Sequence, residues 1–215
     1  IVENSQNIKL KEELEKKYLN VECILPEKNL GYGAGNNLGI KISKTKYVLT
    51  LNPDTILYEN TISKLLEQAN IIEDFALLGP KVISETEDIS SIDSKIEVVN
   101  YIKGFAIFFN KEKFVDIGFF DENYFLYFEE IDLCKKVIKS NNKIYLINNA
   151  LIKHVGGKSH EDKYEFEMEL SRNWHWMWSS FYYYRKNYNY YYALFKVLKK
   201  LISSIIKISF YSLNL

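Results

Sequence analysis

Short apolar segments alternate with amphipathic segments along this chain, and the alternation restricts the fold more than any other feature. Apolar runs that predict strands lie at residues 21–25, 47–51, 76–83, 98–102, 105–109 and 143–147. Segments with helical spacing lie at residues 8–19, 36–43, 61–72 and 129–140. Such alternation predicts an α/β fold of Rossmann-like type, with a mostly parallel sheet and helices on both faces.

The length and composition agree with a folded enzyme-sized domain. The chain has 215 residues, 47% of them hydrophobic, which is enough for a true core and excludes a disordered protein. Cys23 and Cys134 lie too far apart for a disulfide framework or a C-x-x-C motif, so we expect two buried thiols. Ile1 and Val2 read as the end of a strand, so we expect that a first structural element is missing from the sequence.

The charges divide the chain into two parts. Residues 172–215 contain seven of the 28 basic residues and none of the 28 acidic ones, so this segment carries +7 and residues 1–171 carry −7. We therefore predict a catalytic domain over residues 1–171 and a C-terminal extension over residues 172–215. A basic end on an acidic body predicts an anionic surface as a partner.

The segment NLGYGAGNNLGI, residues 29–40, has the glycine spacing of a phosphate-holding loop. A dinucleotide site would need a strand running straight into the glycines and an acidic residue about 20 positions later. Asp54 fits that distance from Gly33, but residues 21–25 end too early and position 36 is Asn. A sugar-nucleotide site and a glycine-rich turn without a ligand remain the alternatives at this point.

Two further segments carry carboxylates to places where strands end. Residues 51–55, LNPDT, deliver Asn52 and Asp54 after a buried strand, and their oxygens suit a divalent cation on a diphosphate, although N-P-D is also ordinary turn chemistry. Glu129, Glu130 and Asp132 follow the aromatic run FLYF at a helix start. A helix start tolerates such charge, but partial desolvation there can also raise the pKa of one carboxylate toward that of a general base.

One histidine completes this set. His154 precedes a glycine pair in LIKHVGGKS, residues 151–159. A lone histidine is usually structural, but in a glycine-flanked loop opposite a carboxylate site it can bind a metal ion or a phosphate. Because ligands bind outside the carboxyl ends of the strands of such sheets, we also expect Glu3 and Asn4, after the first strand, to line the site.

Six segments in order resemble glycosyltransferase family 2, and within it the bacterial rhamnosyltransferase-like branch that builds surface polysaccharides. They are IVENS, NLGYGAGNNLGI, YVLTLNPDT, the glycine of YIKGFAIFF, VDIGFFDENYFLYFEEIDLC and IKHVGGKS, and together they cover about residues 1–190. The resemblance implies a GT-A fold and inverting transfer of a sugar, in this branch rhamnose, from a nucleotide diphosphate donor. The implied acceptor is a lipid-linked or cell-surface polysaccharide.

The resemblance also implies roles for individual residues. Glu130 matches the catalytic base, Asp54 the metal-binding acid, and His154 a histidine that completes the magnesium or manganese site. Glu129 and Asp132 are expected to support the site or the acceptor. The donor-binding residues expected are Glu3, Asn4, Gly31, Gly33, Gly35, Asn36, Asn37, Asn52 and Gly104.

Two departures from the family pattern stand out. Glu3 and Glu130 are one methylene longer than the aspartates usual at those places, whereas Asn52 in place of the first acid of the D-x-D-like turn is common in this branch. The family's first strand is absent, which favours an alternative function: a non-catalytic remnant of the fold that acts as a binding or assembly partner. The presence of Asp54, Glu130 and His154 together argues for the enzyme.

The C-terminal segment predicts a helix that lies in a membrane interface. Residues 174–192 are dense in Trp and Tyr, and in residues 193–210 lysines and serines fall on one helical face and Leu, Ile and Val on the other. The alternative is that the apolar face packs on the domain. No apolar run is long enough to span a bilayer, and the acidic body argues against a nucleic-acid partner. Together with the resemblance, this predicts a peripheral protein at the cytoplasmic face of a bacterial membrane.

Overall fold

The computed structural model describes residues 1–84, 86–155 and 165–213, with only the helical backbone for residues 165–166 and 203–213. The glycine pair predicted to flank His154 falls outside these residues.

The N-terminal part of the chain packs two helices beside a short bridge. Val2 pairs with Ile24 in an isolated parallel bridge, so the strand predicted at residues 21–25 is reduced to one residue. Helix α1 spans Ile8–Lys17 and begins where the Asn7 side chain accepts a hydrogen bond from the Leu10 amide at 3.0 Å. Helix α2 spans Gly31–Ile42, five residues earlier at its start than predicted.

The remaining elements follow in the predicted alternation. They are β1 (Tyr47–Leu51), β2 (Thr55–Leu57), α3 (Thr61–Ile71), β3 (Phe75–Val82), β4 (Ile96–Val99), β5 (Ala106–Asn110), α4 (Phe114–Ile117), α5 (Glu129–Lys139), β6 (Lys143–His154), α6 (Glu165–Asn187) and α7 (Tyr190–Leu213). The patterns did not predict β2 or α4, which are too short to show a period.

The sheet is mixed rather than mostly parallel. Its strand order is β1-β5-β3-β6-β2, with β4 also paired to β6. Strand β5 lies antiparallel between β1 and β3, whereas β3 and β6 are parallel, so β1, β3 and β6 all run in one direction. The prediction of a mostly parallel sheet is therefore wrong for the pairings of β5, β2 and β4, although the α/β class is confirmed.

Strand β6 is much longer than predicted because it pairs with two different strands along its length. Ile144–Ile147 pair with β4, and Ile152–His154 pair with β2. Between these halves the register with β3 jumps from Pro80↔Ile147 to Lys81↔Leu151, which is an irregularity of the bulge type. This second half carries His154 to the position opposite Thr55.

Hydrophobic clusters lie on both faces of the sheet. On one face, Leu133 and Val137 of α5 pack with Ile107 and Phe109 of β5. On the other face, residues of α3 such as Leu65 pack against Phe108 and Phe75. Full burial of each such side chain contributes roughly 1.5–3 kcal/mol. The helices therefore cover both faces, as predicted.

Helix α6 is fastened to the body of the protein by ionic contacts. The Lys186 ammonium lies 2.7 Å from carboxylate oxygens of both Asp121 and Asp132. Asp132 is only 1% exposed, so this pair is desolvated and breaking it would leave a buried charge. Helix α7 then folds back on α6, where the rings of Phe181 and Tyr190 meet edge to face. Among the described helices, none is long and apolar enough to cross a membrane.

Candidate active site

The glycine segment forms the first turns of α2 rather than an irregular loop. Gly31 has a φ of +77°, and a Cβ atom there would collide with the carbonyl oxygen of Phe125. A Cβ on Gly33 would lie 3.2 Å from Phe120, and one on Gly35 would lie 2.9 Å from the Asn4 amide nitrogen. These three glycines are buried and allow close packing within the protein, and their role in donor binding stays a prediction.

The amides at the start of α2 are also used by the protein. The Gly31 amide donates to the Asn29 side chain at 2.9 Å, and the Tyr32 amide donates to the Phe125 carbonyl at 2.9 Å. Asn4 fastens the same turn, because its amide group donates to the Gly31 carbonyl at 3.0 Å. Asn4 therefore positions α2.

The two asparagines of α2 differ in exposure. Asn37 is 3% exposed, donates to the Phe120 carbonyl at 2.9 Å and accepts from the Phe120 amide at 3.0 Å. The Asn37 amide thus holds the segment that leads to the carboxylates, and its contact with a nucleotide stays a prediction. Asn36 is half-buried and donates to the Tyr32 carbonyl at 3.0 Å, so its role in donor binding stays a prediction.

Glu3 directly follows the Val2–Ile24 bridge, where the short strand pairing at the N-terminus ends. Its amide donates to the Ile24 carbonyl at 2.9 Å, and its carboxylate accepts from both the amide and the hydroxyl of Ser5. The carboxylate is half-buried and stays beside α2 through its neighbour Asn4. Its contact with a nucleoside stays a prediction.

Asp54 and His154 form a pair across β2 and β6. Thr55 and His154 are register partners, so the residue before β2 lies beside the end of β6. His154 Nε2 is 3.3 Å from Asp54 Oδ2, and the His154 ring stacks on Phe105 with ring centroids 4.2 Å apart. Both side chains are about one quarter exposed, at 28% and 25%. Asn52 lies next to them, since its amide donates to the Phe105 carbonyl at 2.9 Å.

The Asp54 carboxylate is consistent with a cation ligand. Its Oδ1 atom is buried and has no hydrogen-bond partner among the described residues, which is unusual for a buried carboxylate oxygen. Carboxylate oxygen and imidazole nitrogen are both ligands of manganese and related ions. Within residues 1–84, 86–155 and 165–213 no group of three or more His, Cys, Asp or Glu side chains gathers for a metal ion. The pair therefore fits a cation that takes its other ligands from elsewhere, such as a diphosphate.

Glu130 lies at the start of α5 and is partly open to solvent. The Tyr101 hydroxyl donates to Glu130 Oε1 at 3.0 Å, and a Cβ on Gly104 would lie 3.4 Å from the Glu130 side chain. The Tyr32 hydroxyl donates to the Gly104 carbonyl on the same side. Burial, followed by the charge of Glu130, raises the pKa of Tyr101, so its hydroxyl keeps its proton and remains a donor. Glu130 is thus oriented while half-buried.

Glu129 differs from its neighbour by being almost fully buried. It is 5% exposed, and its Oε2 atom has no hydrogen-bond partner within the described part of the chain. Burial, and secondly the charge of Glu130, raise the pKa of Glu129 from 4.5 to about 8. Glu129 is therefore protonated near neutral pH and lies against Gly33 of α2.

The segment before these carboxylates has a strained backbone. Tyr127 and Phe128 both have a left-handed φ, of 71° and 70°. Each such non-glycine residue costs about 1–3 kcal/mol and persists only where its surroundings hold it. Helix α6 supplies those surroundings: the Ser179 hydroxyl donates to the Leu126 carbonyl at 2.7 Å, and the Phe128 ring meets Trp176 edge to face.

Asp132 is placed by the structure in this same support. Besides Lys186, it accepts from the Asn187 amide group at 3.2 Å and lies 3.4 Å from the Tyr124 hydroxyl. These partners satisfy the carboxylate within the protein. Asp132 therefore fastens α6 beside the site, and its contact with an acceptor stays a prediction.

Two adjacent residues join the halves of the site. Gly104 contacts Glu130, and Phe105 contacts His154, so the segment before β5 brings the Glu130 carboxylate and the Asp54–His154 pair to one sheet edge. The sequence patterns missed Tyr101 and Phe105. The only signal was the aromatic flanks of YIKGF, which at that level are indistinguishable from core residues.

Solved structures that resemble this chain define the class of fold. Three of them are GalNAc-T7 with UDP, GalNAc and Mn²⁺, the mannosyltransferase PcManGT from Pyrobaculum calidifontis with GDP-Man and Mn²⁺, and TarS of S. aureus. Their TM-scores are 0.61, 0.61 and 0.55, with 13%, 8% and 16% identity. The matches cover 94%, 86% and 80% of this chain and 50%, 54% and 33% of those proteins. The fold is that of a GT-A glycosyltransferase.

The family follows from the sequence. The family model of Glycosyl transferase family 2 matches residues 2–133, and the chain belongs to this family. A curated relative, the low-salt glycan biosynthesis hexosyltransferase Agl10 of Haloferax volcanii, is 24% identical over 143 residues. That match covers 54% of this chain and 46% of the relative, so the chain matches about half the length of the relative.

Proposed function

We propose that this protein transfers a sugar from a nucleotide diphosphate donor to an acceptor hydroxyl, with inversion at the anomeric carbon. The observation that carries the proposal is the half-buried Glu130 carboxylate, oriented by Tyr101 at 3.0 Å and joined through residues 104–105 to the Asp54–His154 pair. A positioned general base contributes roughly 10²- to 10⁴-fold to a rate. Membership of Glycosyl transferase family 2 supports the same reaction class.

Glu130 takes the proton of the acceptor hydroxyl in this mechanism. The acceptor oxygen forms a bond to the anomeric carbon on the face opposite the diphosphate. The bond from that carbon to the diphosphate oxygen breaks, and the leaving group keeps the electron pair. Because attack and departure occur on opposite faces, the anomeric configuration inverts.

A divalent cation, magnesium or manganese, is the proposed cofactor. Asp54 and His154 would hold it, and when bound it would neutralise charge on the leaving diphosphate. The support is the Asp54 Oδ1 atom, which has no hydrogen-bond partner among the described residues, together with the Mn²⁺ bound in the GalNAc-T7 and PcManGT structures. Glu3, Asn36 and Asn52 are the proposed contacts to the donor.

The proposals for the donor sugar and for the acceptor rest on the sequence resemblance. We take the donor sugar to be a hexose, with rhamnose as the first candidate, and the acceptor to be lipid-linked or part of a cell-surface polysaccharide. A panel of nucleotide sugars, assayed for transfer and for release of the nucleotide diphosphate, tests the function. Turnover of one donor supports it, whereas binding without turnover of any donor favours the non-catalytic alternative.

Substitution of Asp54 by asparagine is expected to weaken manganese-dependent donor binding. Loss of a residue that only hydrogen-bonds to a metal ligand lowers metal affinity by roughly 10–100-fold. Loss of a direct ligand should therefore lower it by at least about tenfold. The measurement is calorimetric titration of the protein with the nucleotide sugar that the panel identifies as the donor, with and without Mn²⁺. Asp116→Asn, an exposed aspartate on α4, is the matched control. Equal Mn²⁺ dependence in Asp54→Asn and wild type would remove Asp54 from the cation site.

The exposed face of α7 is proposed to rest on an anionic membrane surface at the cytoplasmic side of a bacterial membrane. Within α7, Ala193 is buried, but Phe195, Leu198 and Ile202 are exposed at 62%, 41% and 54%. Exposed Trp174 and the lysines of α7 accompany them, as in helices that lie in the membrane interface. The alternative, in which the apolar face of this helix packs on the domain, therefore accounts for only one side of the described part of α7.

Replacing Leu198 and Ile202 together by serine is expected to reduce binding to vesicles. Each buried apolar side chain contributes roughly 1.5–3 kcal/mol, so the loss of two predicts at least about a tenfold decrease. The measurement is co-sedimentation with vesicles containing anionic lipid. The double variant Ile8→Ser with Ile71→Ser is the control, because it removes side chains of α1 and α3 that are even more exposed, at 62% and 64%. Unchanged sedimentation of the α7 variant would contradict the membrane role.

A further inference from the structure

A cavity of about 260 Å³ opens beside the candidate active site. Its walls are residues 79–82 of β3, residues 101–103, the start of β5, and Leu146 and Ile152 of β6. Two of its lining residues also belong to the site: Tyr101 donates to Glu130, and Phe105 stacks on His154. The cavity is thus adjacent to the proposed base.

The lining is chemically two-sided. Val82, Ile102 and Ile152 give it an apolar interior, while Lys81 and Lys103 stand in the same lining. Lys81 is paired with Glu87 at 2.8 Å, whereas Lys103 is exposed. The occupant expected from this chemistry has an apolar group for the interior and a negative charge for the lysine side. Burial of the apolar group supplies affinity, and the charge fixes orientation.

The position of the cavity assigns it to the acceptor rather than the donor. The diphosphate of a donor belongs at the Asp54–His154 pair, and the Phe105 ring that stacks on His154 also lines the cavity. Ligand sites usually have volumes of about 300–1,000 Å³, so this smaller cavity encloses only part of a ligand. The remainder extends outside it, and along Tyr101 that direction leads to Glu130.

We infer that this cavity binds the apolar portion of an acceptor that carries an anionic group beside that portion. The inference rests on the proposed transferase function, since it names the acceptor class of the same site. Tyr101 then has two tasks: one side bounds the acceptor's apolar group, and its hydroxyl orients the base. Val82 determines which apolar groups fit the cavity, and Lys103 favours an acceptor with a negative charge.

Octyl phosphate is a suitable probe. Octyl glucoside, which has the same apolar chain without the charge, and inorganic phosphate, which has the charge without the chain, are its comparison ligands. Val82 lines the cavity and is partly exposed, so the larger side chain of Val82→Phe would occupy part of the cavity. Phenylalanine is also a residue type that is common in strands. We expect Val82→Phe to weaken octyl phosphate binding to the full chain by at least about tenfold, as loss of roughly 1.5–3 kcal/mol of burial predicts. Val98→Phe, on exposed β4 outside the cavity, is the matched control and should bind normally.

The charge half is tested by Lys103→Gln. An exposed ionic contact is worth roughly 0.2–1 kcal/mol, so octyl phosphate binding should weaken by up to about fivefold, with octyl glucoside unaffected. Lys44→Gln, in the exposed turn before β1, is the control. Inorganic phosphate that binds as tightly as octyl phosphate would overturn the inference, because the cavity would then contribute nothing.

The binding assay separates this inference from the transferase proposal. If a nucleotide sugar is turned over but Val82→Phe changes neither octyl phosphate binding nor the acceptor KM, the cavity inference fails and the transferase stands. If no donor is turned over while Val82→Phe still abolishes octyl phosphate binding, the cavity stands as a binding site and the transferase proposal fails.

Discussion

Replacement of Glu130 by glutamine is expected to lower kcat for sugar transfer by roughly 10²- to 10⁴-fold, the contribution of a positioned general base. The variant keeps the size of the side chain, and its amide oxygen can still accept the Tyr101 hydrogen bond. The fold and donor binding should therefore remain, and only proton removal is lost. The measurement is steady-state transfer with the donor identified in the panel, together with the thermal midpoint of the variant.

Two further results interpret that experiment. Glu13→Gln, an exposed glutamate of α1, should transfer sugar at the wild-type rate. Near-wild-type turnover of Glu130→Gln, combined with loss in Glu129→Gln, would instead make Glu129 the base. The structure argues against that exchange because Glu129 is 5% exposed and packed against Gly33, where an acceptor hydroxyl has little access. NMR of the anomeric proton of the product separately tests inversion.

The positions of most strands and helices are predictable from hydrophobic periodicity, but strand direction is not. Residues 47–51 and 105–109 have the same near-continuous apolar pattern, yet β1 and β5 run in opposite directions. Burial on both faces gives this pattern to a strand whatever its direction, so the apolar run cannot separate the cases. The length of β6 was missed for a related reason, because Asn148 and Asn149 interrupt the apolar run at the bulge.

The candidate site was predictable where chemistry marks its residues and unpredictable where packing does. Asp54, His154 and Glu130 meet at one sheet edge, as their places after strands and at a helix start suggested. The packing role of Asn37 was not predictable, because an amide that satisfies a buried loop has the same sequence signature as one that binds a ligand. The same holds for Gly35, since absence of a Cβ serves close packing as well as phosphate contact.

The strained Tyr127–Phe128 pair shows why α6 matters for the site although it carries no proposed catalytic group. Left-handed φ values at two aromatic residues persist only under support, and Ser179 and Trp176 of α6 provide it. Tyr127 and Phe128 immediately precede the start of α5, on which Glu130 lies. Sequence inspection could not find this coupling, because positive φ at Tyr or Phe has no compositional signal.

The second large effect concerns the pH dependence of stability, and it comes from Glu129. Its pKa is raised from 4.5 to about 8, first by burial and then by the Glu130 charge, while the neighbouring Tyr32 phenol remains neutral because its own pKa is raised. Between these values the folded protein retains a proton that the unfolded chain releases. Stability from this group is therefore fully present below pH 4.5 and is lost as the pH rises through about 8.

Glutamine at position 129 has no proton to lose, so Glu129→Gln should remove this loss. A shift from 4.5 to about 8 corresponds to a free energy of about 5 kcal/mol. We expect the variant to exceed the wild type in free energy of unfolding by about that amount above pH 9, with little difference near pH 4.5. Urea unfolding of both proteins at several pH values in this range measures the difference, and Glu13→Gln should show none at any pH. A difference that does not change with pH would mean that Glu129 is ionised in the folded protein. In that case the burial of its carboxylate would have to be balanced by a cation or a donor group outside the described residues.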